Sequence, residues 1–468
     1  MAGIFMQLVA TSIISYLGVT MGLLYTWPSS TFLLFASPNT TLDRPMTSTE
    51  LSLLGSLSSI ATLIITPFTS SVLDYLGRKK SFLLLGVNQV LTWAILASCD
   101  RVEAVLASMF ISGSSGCMML VIPMYISEIC KESIRGSMTS AAVISLGIGM
   151  MLSYTFGGYL EYHVMNYTCL SLSVLGVVLL MMVKESPLFL LQKGLEKEAL
   201  QSLAFYRGEK ITSKEVIEEL ETIKRTLNVA LDEQTPEEEK LKADLDKPRE
   251  KLSRWAFLKK SKSSRRALLV VVMLYTAAIF QGLVVVQVFA EPLFTEATPT
   301  ISATLSSVLM AFLSTLAGFV GAYFIERFGR RNLMIYASVA TGVCCVVLGV
   351  QVQVGFGPSW LTAVLLHVYC VTYTLGAGVV PYVVNAEVFL PEIKSFASMI
   401  CMEWAFLCNF VVLFIFNPLV TAVGLGIIFY MFAAFCFLSS VFCWFYLPET
   451  KGLAVDVIQQ SFVNKCYK

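Results

Sequence analysis

The sequence predicts an all-α membrane protein in which twelve transmembrane helices form two six-helix halves. Its mean hydropathy is +0.73 and only 14% of its 468 residues are charged, values that exclude an ordinary soluble protein. Apolar runs of about 18 residues or more, each long enough to cross the hydrocarbon layer as a helix, recur along the whole chain. The twelve runs lie at 4–27, 51–72, 81–98, 104–125, 137–159, 165–183, 267–290, 301–325, 333–352, 360–384, 397–418 and 424–447.

The basic residues are distributed unevenly between the two sides of the predicted membrane. When the loops are assigned alternately to the two sides, one side receives 31 of the 33 Lys and Arg residues, and the other receives only Arg44 and Arg101. Basic loops stay in the cytoplasm, so we expect both termini to be cytoplasmic, with the protein in the plasma membrane. A cleaved signal peptide is the alternative for the first run, but that run has neither a basic segment before it nor a convincing cleavage site.

Charged residues concentrate between the sixth and seventh runs. Residues 184–266 hold 19 Lys or Arg and 16 Asp or Glu. The stretches EKEALQSLAFYRG and SKEVIEELETIKRTL have helical periodicity and predict short amphipathic cytoplasmic helices, whereas DEQTPEEEKLKADLDKPREK predicts a solvated linker. The predicted organisation is therefore a six-helix bundle at 1–183, a cytoplasmic linker at 184–266, a second bundle at 267–447 and a short cytoplasmic tail at 448–468.

Charged motifs repeat at matching helix ends in the two halves. DYLGRKK (74–80) follows the second run and ERFGRR (326–331) follows the eighth. An acid follows the fourth and tenth runs, each with a basic residue seven positions on, and KESP and PETKG close the sixth and twelfth runs. The paired acids are 252, 259 and 264 residues apart. Because six spans return the chain to the same side, this is a parallel repeat, and such repeats place a binding site between the halves near mid-membrane.

These motifs resemble those of the sugar porter family of the major facilitator superfamily, and in particular those of insect facilitated trehalose and glucose transporters. The matching pieces also include PMYISEICKESIRG (123–136), LGAGVVPYVVNAEVFLPEIK (375–394), LPETKGL (447–453) and, in the first run, Trp27-Pro28-Ser29. The resemblance covers essentially the whole chain. It implies the major facilitator fold and transport of a hexose or trehalose by alternating access, as facilitative uniport.

The resemblance further implies a cytoplasmic gate made of charged residues at helix ends. In the family these residues pair across the two halves, which predicts a latch that holds the cytoplasmic side shut while the opposite side is open. Such a network supplies roughly a few kcal/mol and loses strength once water enters. The alternative, anchoring of helix ends by basic residues, leaves the repetition of the acids unexplained. The predicted gate residues are Asp74, Arg78, Glu128, Arg135, Glu185, Glu326, Arg330, Glu387, Lys394 and Glu449.

Most positions that contact sugar in the family are apolar here. Aligned on Gly282, the polar positions of the seventh run become Ala278, Ile279 and Val284, and the glutamine of the fifth run becomes Val143. A buried hydroxyl without a partner costs about 1–3 kcal/mol, so we expect these residues to form an apolar cavity that binds sugar with low affinity. The residues that remain to bind substrate are Gln281, Gln287, Ser314, Tyr373, Thr374, Tyr382 and Asn409. Either Gln is also compatible with a hydrogen bond between helices.

Glu403 is the only acid well inside a predicted span. An intramembrane carboxylate is a candidate protonation site. Two alternatives remain: Glu403 lies close enough to the cytoplasm to be hydrated, or it is protonated and bonded to a neighbour. We interpret His367 as a packed, neutral histidine and Gly18-x-x-x-Gly22 as a close-packing face between helices.

Two functions compete with the facilitative carrier. A proton-coupled symporter is the first, but proton-coupled relatives have an aspartate in the first span, and residues 1–42 contain no acid. The second is a nutrient sensor or a carrier of a different small solute. Sensors of the family have long signalling tails, whereas sixteen residues follow Gly452. A different solute remains compatible with the altered site.

The remaining expectations concern chemistry, partners and modification. The sequence contains no catalytic or metal-ligating constellation, so we expect no enzymatic activity, no metal and no cofactor. The expected partners are a small-molecule sugar and the lipid bilayer, without nucleic acid, and a monomer is expected to suffice for function. Asn39-Thr40-Thr41 lies in the first outer loop and predicts N-glycosylation of Asn39, whereas Asn166 of Asn166-Tyr167-Thr168 is expected to lie too close to the bilayer.

Overall fold

The computed structural model describes residues 2–233, 255, 258–259, 261–390, 393–453 and 455–464, and these contain helices but no β-strand. The N-terminal half comprises α1 (Ala2–Ala36), α2 (Ser48–Leu76), α3 (Arg78–Ser98), α4 (Val102–Ser112), α5 (Met118–Ile129), α6 (Glu132–Tyr159) and α7 (Tyr162–Met181). Between the halves lie α8 (Pro187–Gln192), α9 (Glu196–Arg207) and α10 (Lys214–Glu233). The C-terminal half comprises α11 (Lys262–Phe280), α12 (Leu283–Val288), α13 (Ala290–Ala297), α14 (Ala303–Phe328), α15 (Arg330–Val354), α16 (Ser359–Leu375), α17 (Val380–Glu387), α18 (Lys394–Val423), α19 (Leu425–Tyr446) and α20 (Val455–Asn464).

The predicted membrane helices are confirmed. Within the described residues, eleven helical segments are long and apolar enough to cross a membrane, and the apolar part of α6, Val143–Tyr159, is a shorter twelfth. Each coincides with one of the twelve apolar runs, so the chain is an all-α integral membrane protein. We call the side that carries DYLGRKK, ERFGRR and α8–α10 the basic side, and the other the opposite side.

Three of the predicted spans are interrupted. The fourth is divided into α4 and α5 by a 3-10 turn at Gly113–Cys117, where Thr62 of α2 donates a hydrogen bond to the Gly113 carbonyl at 2.6 Å. The seventh is divided into α11, α12 and α13, and the first break falls at Gly282, whose φ of +94° favours glycine. The tenth is divided into α16 and α17 around Gly376 and Gly378.

Tyrosine hydroxyls bind the main-chain carbonyl groups near the breaks in the seventh span. Main-chain carbonyl groups inside a membrane need a hydrogen-bond donor from the protein itself, because no water is present there. Tyr369 and Tyr373 of α16 donate to the carbonyl oxygens of Gln281 and Ala278 at 2.7 and 2.9 Å. Tyr154 of α6, in the other half, donates to the carbonyl oxygen of Gln287 at 2.6 Å. The broken span is therefore held from both halves.

The halves contact each other in the middle of the bundle and toward the opposite side. The contacting helices are α2 with α18, α6 with α14, and α1 with α12 and α13. Small residues allow this approach: an added Cβ at Gly147 would collide with Thr315, and one at Gly158 would collide with Thr304. On the basic side, no ion pair or hydrogen bond between described residues joins the two bundles. The arrangement is closed toward the opposite side.

The helices between the halves pack on the N-terminal half. Tyr125 of α5 donates to the Lys184 carbonyl at 2.5 Å, and Tyr206 of α9 donates to the same oxygen. Arg207 donates to the Ile129 carbonyl at 3.0 Å and pairs with Glu219 of α10 at 2.6 Å. The two predicted amphipathic helices are confirmed as α9 and α10. Most of the predicted solvated linker, 232–251, lies outside the described residues.

Candidate functional site: a central cavity and two charged clusters

The centre of the bundle contains an open space bordered by Tyr382 of α17. This side chain lies deep within the bundle, yet it is 56% exposed, so it faces a cavity rather than the protein interior. The Tyr275 ring of α11 packs edge-on against it, with centroids 5.5 Å apart at 84°. Tyr25 of α1 lies close to Tyr382 from the other half. Aromatic rings with polar hydroxyl groups thus border the cavity from both halves.

Gln287 on α12 connects the two halves beside this cavity. Its Oε1 accepts a hydrogen bond from the Tyr25 hydroxyl at 3.4 Å, and its carbonyl oxygen is the one bound by Tyr154. One turn further on, the Glu291 main-chain nitrogen donates to Ser29 Oγ at 2.8 Å. The α12–α13 segment therefore closes the cavity toward the opposite side by bonding to α1 and α6.

Tyr25, Tyr154 and Tyr275 are site residues that the sequence analysis did not identify. A phenolic hydroxyl inside an apolar span needs a hydrogen-bond partner when it is buried. Each of the three lies inside a predicted span, and that signal was available. It does not reveal that the partners of Tyr25 and Tyr154 lie in the other half, or that the Tyr275 hydroxyl has no hydrogen-bond partner among the described residues.

The predicted substrate residues are not all brought together. Tyr382, Gln287 and Asn409 are at least partly exposed, and the Oδ1 of Asn409 is enclosed without a hydrogen-bond partner among the described residues. Ser314 and Tyr373 are buried, and Thr374 donates to the Cys370 carbonyl of its own helix at 2.7 Å.

Gln281 is completely buried, which differs from its predicted role in substrate binding. Its Nε2 lies 3.5 Å from Ser338 Oγ on α15, within the same half. The physical reason is the break at Gly282, which ends α11 and turns the Gln281 side chain into the C-terminal bundle. This arrangement corresponds to the alternative interpretation, a hydrogen bond between helices.

The four residues of the predicted apolar lining differ in burial. Val143 on α6 is exposed and Val284 is half-buried, whereas Ala278 and Ile279 are buried in the C-terminal core. The expectation that Ala278 and Ile279 face the cavity is therefore wrong. Both precede the break at Gly282, so they pack with the core face of α11.

The charged cluster of the N-terminal half is built around Arg78. Its Nε lies 3.0 Å from both carboxylate oxygens of Glu128, and Nη2 lies 2.9 Å from Oε1. Glu185 binds main-chain groups instead: its Oε1 accepts hydrogen bonds from the nitrogen atoms of Arg78 and Lys79, both at 3.0 Å. A carboxylate from the end of α7 thus caps the N-terminus of α3.

The charged cluster of the C-terminal half has the same arrangement, in which an arginine pairs with a carboxylate and a second carboxylate caps the helix. Arg330 Nη2 lies 2.6 Å from Glu387 Oε1 and 2.8 Å from Glu326 Oε1. Glu449 Oε1 accepts a hydrogen bond from the Arg330 main-chain nitrogen at 2.9 Å. Thr450 adds a hydrogen bond from its hydroxyl to Glu387 Oε2 at 2.6 Å.

The glycine before each capped helix explains why the cap comes from elsewhere in the chain. Gly77 and Gly329 have φ angles of +92° and +86° and offer no side chain of their own as a cap. An added Cβ at either position would collide with the carboxylate of Glu185 or Glu449, respectively. A carboxylate at a helix N-terminus is also favoured by the helix dipole.

Two predicted gate residues, Asp74 and Lys394, lie outside these clusters. Asp74 and Lys394 are exposed and make no ion pair with any described residue, and the side chain of Arg135 lies outside the described part of the chain. The ion pairs of Arg78 and Arg330 each stay within one half. In this arrangement the pairing across the halves that the resemblance implies is absent among the described residues.

Glu403 on α18 is half-buried. Its Oε1 is enclosed without a hydrogen-bond partner among the described residues, and its side chain lies within electrostatic range of Cys117 of the N-terminal half. Glu403 therefore lies where α18 meets the other bundle.

The structure agrees with the interpretations of His367 as a packed histidine and of Gly22 as part of a close-packing face. His367 is buried, with Nδ1 2.6 Å from the Ala363 carbonyl and Nε2 3.0 Å from the Ser306 carbonyl. Gly22 packs so closely on Gly149 of α6 that an added Cβ would collide with its main chain.

The two candidate glycosylation sites differ sharply in accessibility. Asn39 is exposed in a turn on the opposite side. Asn166 is fully buried, accepts a hydrogen bond from Trp27 Nε1 and donates one to the Leu96 carbonyl, both at 3.1 Å.

Comparison with known protein families shows which family the chain belongs to. The family model described as "Sugar (and other) transporter" matches residues 4–462, which is nearly the entire sequence. The chain belongs to the sugar (and other) transporter family. The charged clusters and the broken seventh and tenth spans described above are therefore features of a member of this family.

Curated relatives of this sugar transporter family member include insect proteins. Facilitated trehalose transporter Tret1-1 of Drosophila sechellia is 25% identical over 97% of this chain and 52% of its own length. Facilitated trehalose transporter Tret1 of Aedes aegypti is 24% identical over 97% of this chain and 55% of its own length. The chain thus spans about half the length of the curated relatives it matches.

Solved structures show the same fold. The inward-open conformation of the xylose transporter XylE from E. coli has a TM-score of 0.77 at 18% identity and covers 96% of this chain and 98% of its own. A crystal structure of D-xylose-proton symporter has a TM-score of 0.71 at 18% identity and covers 95% of this chain and 98% of its own. The predicted fold of two six-helix halves is confirmed.

Proposed function

We propose that this chain carries a sugar, a hexose or trehalose, across the membrane by alternating access and without an energy source. The observation that carries the proposal is the central cavity at Tyr382, which α12–α13 closes toward the opposite side through bonds to α1 and α6. A carrier of this design opens to one side at a time as its halves rock. The trehalose transporters among its relatives support sugar as the solute class.

The cavity supports low affinity for sugar. Tyr382 offers an exposed ring on which a sugar can stack, and Gln287 and Asn409 offer hydrogen bonds. Stacking and one or two neutral hydrogen bonds supply roughly a few kcal/mol net, which corresponds to millimolar binding. The carrier is therefore suited to a sugar present at high concentration.

We assign the basic side to the cytoplasm and the location to the plasma membrane, with a monomer as the working unit. In this assignment 184–266 is a cytoplasmic linker between the bundles 1–183 and 267–447, and 448–468 is a cytoplasmic tail. The charged clusters at Arg78 and Arg330 then lie at the cytoplasmic mouth. When the halves rock shut there, the exposed carboxylate of Glu326 and the exposed Asp74 and Lys394 become available for pairing across the halves.

Proton-coupled transport is the second candidate, and Glu403 is the observation that favours it. Its enclosed Oε1 lacks a partner among the described residues at the contact between α18 and the other bundle. A carboxylate in such a place is a candidate proton carrier. The first helix offers no acid to share this role, since residues 1–42 contain none.

Uptake into proteoliposomes tests both candidates. We expect labelled glucose or trehalose to enter saturably, to stop at equal inner and outer concentrations, and to be unaffected by an imposed pH gradient. Accumulation above the outer concentration, with external alkalinisation that Glu403→Gln abolishes, would replace uniport by proton symport. Uptake of a polyol or amino acid, but of neither sugar, would contradict the solute class.

A further inference from the structure

A second cavity lies between the halves on the opposite side, apart from the central cavity. Its volume is about 260 Å³. The N-terminal half contributes Phe32 and Leu51, and the C-terminal half contributes Phe289, Phe416 and Asn417. We call it the outer pocket. Because its walls come from both halves, it exists only while the halves meet on this side.

The walls of the outer pocket are mainly aromatic and aliphatic. Phe289 stacks on Phe416, with centroids 5.5 Å apart at 14°, and Phe32 meets Phe289 edge-on at the same distance. Leu51, Leu293 and Val420 complete the apolar surface. A cavity of this kind binds a compact apolar group and fixes it with a small number of polar contacts.

Two polar groups in the outer pocket lack partners. The Glu296 side chain, at the end of α13, is exposed and makes no ion pair with any described residue. The Nδ2 of Asn417 is enclosed and has no hydrogen-bond partner among the described residues. An unpaired carboxylate favours the binding of a cation, and an unpaired amide N–H favours the binding of a hydrogen-bond acceptor.

The electrostatics of the opposite side also favour a cation. Its loops and helix ends carry two basic residues and seven acidic ones. Arg44, one of the two bases, is already bound to Glu50 at 2.7 Å and to Glu103 at 3.3 Å. A surface of one sign raises the local concentration of ligands of the other sign. The acidic residues are Asp43, Glu50, Asp100, Glu103, Glu161, Glu291 and Glu296.

We propose that the outer pocket binds an amphiphilic organic cation: an amine or quaternary ammonium group joined to a small apolar body that carries a hydrogen-bond acceptor. The cation pairs with Glu296 and lies near the aromatic faces, where cation–π attraction adds to the ion pair. The acceptor receives the hydrogen bond from Asn417 Nδ2 after the Asn417 side chain turns this atom toward the pocket. A sugar fits less well, since most of the wall is apolar and would leave its hydroxyl groups unpaired.

Such a ligand acts as an inhibitor of the alternating cycle. It binds only the arrangement in which the halves meet on the opposite side, so it draws the population toward that arrangement. The pocket is separate from the central cavity, so inhibition does not require competition with the transported solute. The binding and its effect on shape are measurable without knowing that solute.

The experiment uses the full chain in lipid nanodiscs and choline phenyl ether, which has a quaternary ammonium group, an ether oxygen and a phenyl ring. Isothermal titration calorimetry measures its affinity, and 2-phenoxyethanol is the uncharged control probe. Glu296→Gln removes only the charge, and Thr421→Trp fills the rim of the pocket. Glu161→Gln is the matched control, an exposed carboxylate on the same side outside the pocket.

We expect Glu296→Gln to weaken the affinity for choline phenyl ether by about fivefold or more. Thr421→Trp should abolish binding, and Glu161→Gln should leave the affinity unchanged. Equal affinity of the two probes, or an unchanged affinity in both Glu296→Gln and Thr421→Trp, overturns the site. Spin labels on Lys80→Cys and Asn332→Cys report the separation of the halves on the basic side. Choline phenyl ether should enlarge the long-distance population, and a shift to shorter distances overturns the inhibitory mechanism.

Discussion

Arg78 and Glu128 form an ion pair that is almost completely shielded from water: Nη2 lies 2.9 Å from Oε1, and each side chain is 8% exposed. The equivalent pair in the C-terminal half, Arg330 with Glu387, is less shielded because the Glu387 side chain is 28% exposed. The two charged motifs, so similar in sequence, thus differ in their surroundings. Their substitutions are expected to differ in cost.

We expect Arg78→Ala to lower the free energy of unfolding by about 3 kcal/mol, since it leaves a buried carboxylate without a partner. Arg330→Ala should cost less, about 1 kcal/mol, because water reaches Glu387 and Glu326. Thermal unfolding in nanodiscs measures both, with the exposed Lys80→Ala as the control. Equal losses would show that the difference in shielding has no energetic effect.

Gly77→Ala and Gly329→Ala are expected to destabilise the protein by about 1–3 kcal/mol each. Both positions have positive φ angles, and the new methyl group collides with the capping carboxylate. Gly318→Ala is the matched control: it lies inside α14 with open space around it, and alanine favours a helix over glycine. The prediction fails if all three variants unfold at the same temperature.

Tyr154→Phe removes the hydrogen bond from α6 to the Gln287 carbonyl and keeps the ring. Loss of about 1 kcal/mol should shift the populations of the two arrangements by about fivefold, away from closure on the opposite side. Distances between spin labels on Lys80→Cys and Asn332→Cys measure the shift. Tyr159→Phe, on the same helix but exposed, should leave the distances unchanged; a similar shift in both variants would remove the role assigned to Tyr154.

Tyr382→Ala and Gln281→Ala should have opposite effects, the first on sugar transport and the second on thermal stability. Tyr382 faces the cavity, so its loss should raise the KM for sugar uptake with little change in thermal stability. Gln281 is buried beside Ser338, so its loss should lower thermal stability and leave KM unchanged. A raised KM in Gln281→Ala at unchanged thermal stability would show that Gln281 contacts the substrate after all.

Glycosylation is expected at Asn39 and not at Asn166 when the protein is made in cells with a secretory pathway. Asn39 is exposed, whereas Asn166 is enclosed between Trp27 and Leu96. Asn39→Gln should remove the whole mass shift caused by an endoglycosidase, and Asn166→Gln should leave that shift intact. A sensitive band that persists in Asn39→Gln would contradict both the site and the assigned side.

The positions of the membrane helices could be predicted because the membrane imposes a minimum apolar length, which is visible in the composition of each run. The charged clusters could be located because their acids recur at similar spacings of 252, 259 and 264 residues. Their partners could not be fully predicted. Sequence spacing gives no measure of whether Arg330 meets Glu387 in its own half or an acid of the other half.

The cavity residues were harder to predict because a broken helix does not follow helical periodicity. The seventh apolar run, 267–290, predicts one continuous helix, but Gly282 ends that helix immediately after Gln281. The break is stable because Tyr369 and Tyr154, which are distant in sequence, bind the neighbouring carbonyl groups. A pattern confined to one segment cannot contain these partners.

The two anchors of the broken seventh span differ in what happens to them during a transport cycle. Tyr369 and Tyr373 belong to the same half as α11 and travel with it, whereas Tyr154 and Ser29 belong to the other half. Separation of the halves on the opposite side therefore exchanges three hydrogen bonds, those of Tyr25, Ser29 and Tyr154, for bonds to incoming water. Such an exchange costs only about 1 kcal/mol per bond. Thermal motion is sufficient to break and re-form these bonds at that cost, as the uncoupled transport proposed above requires.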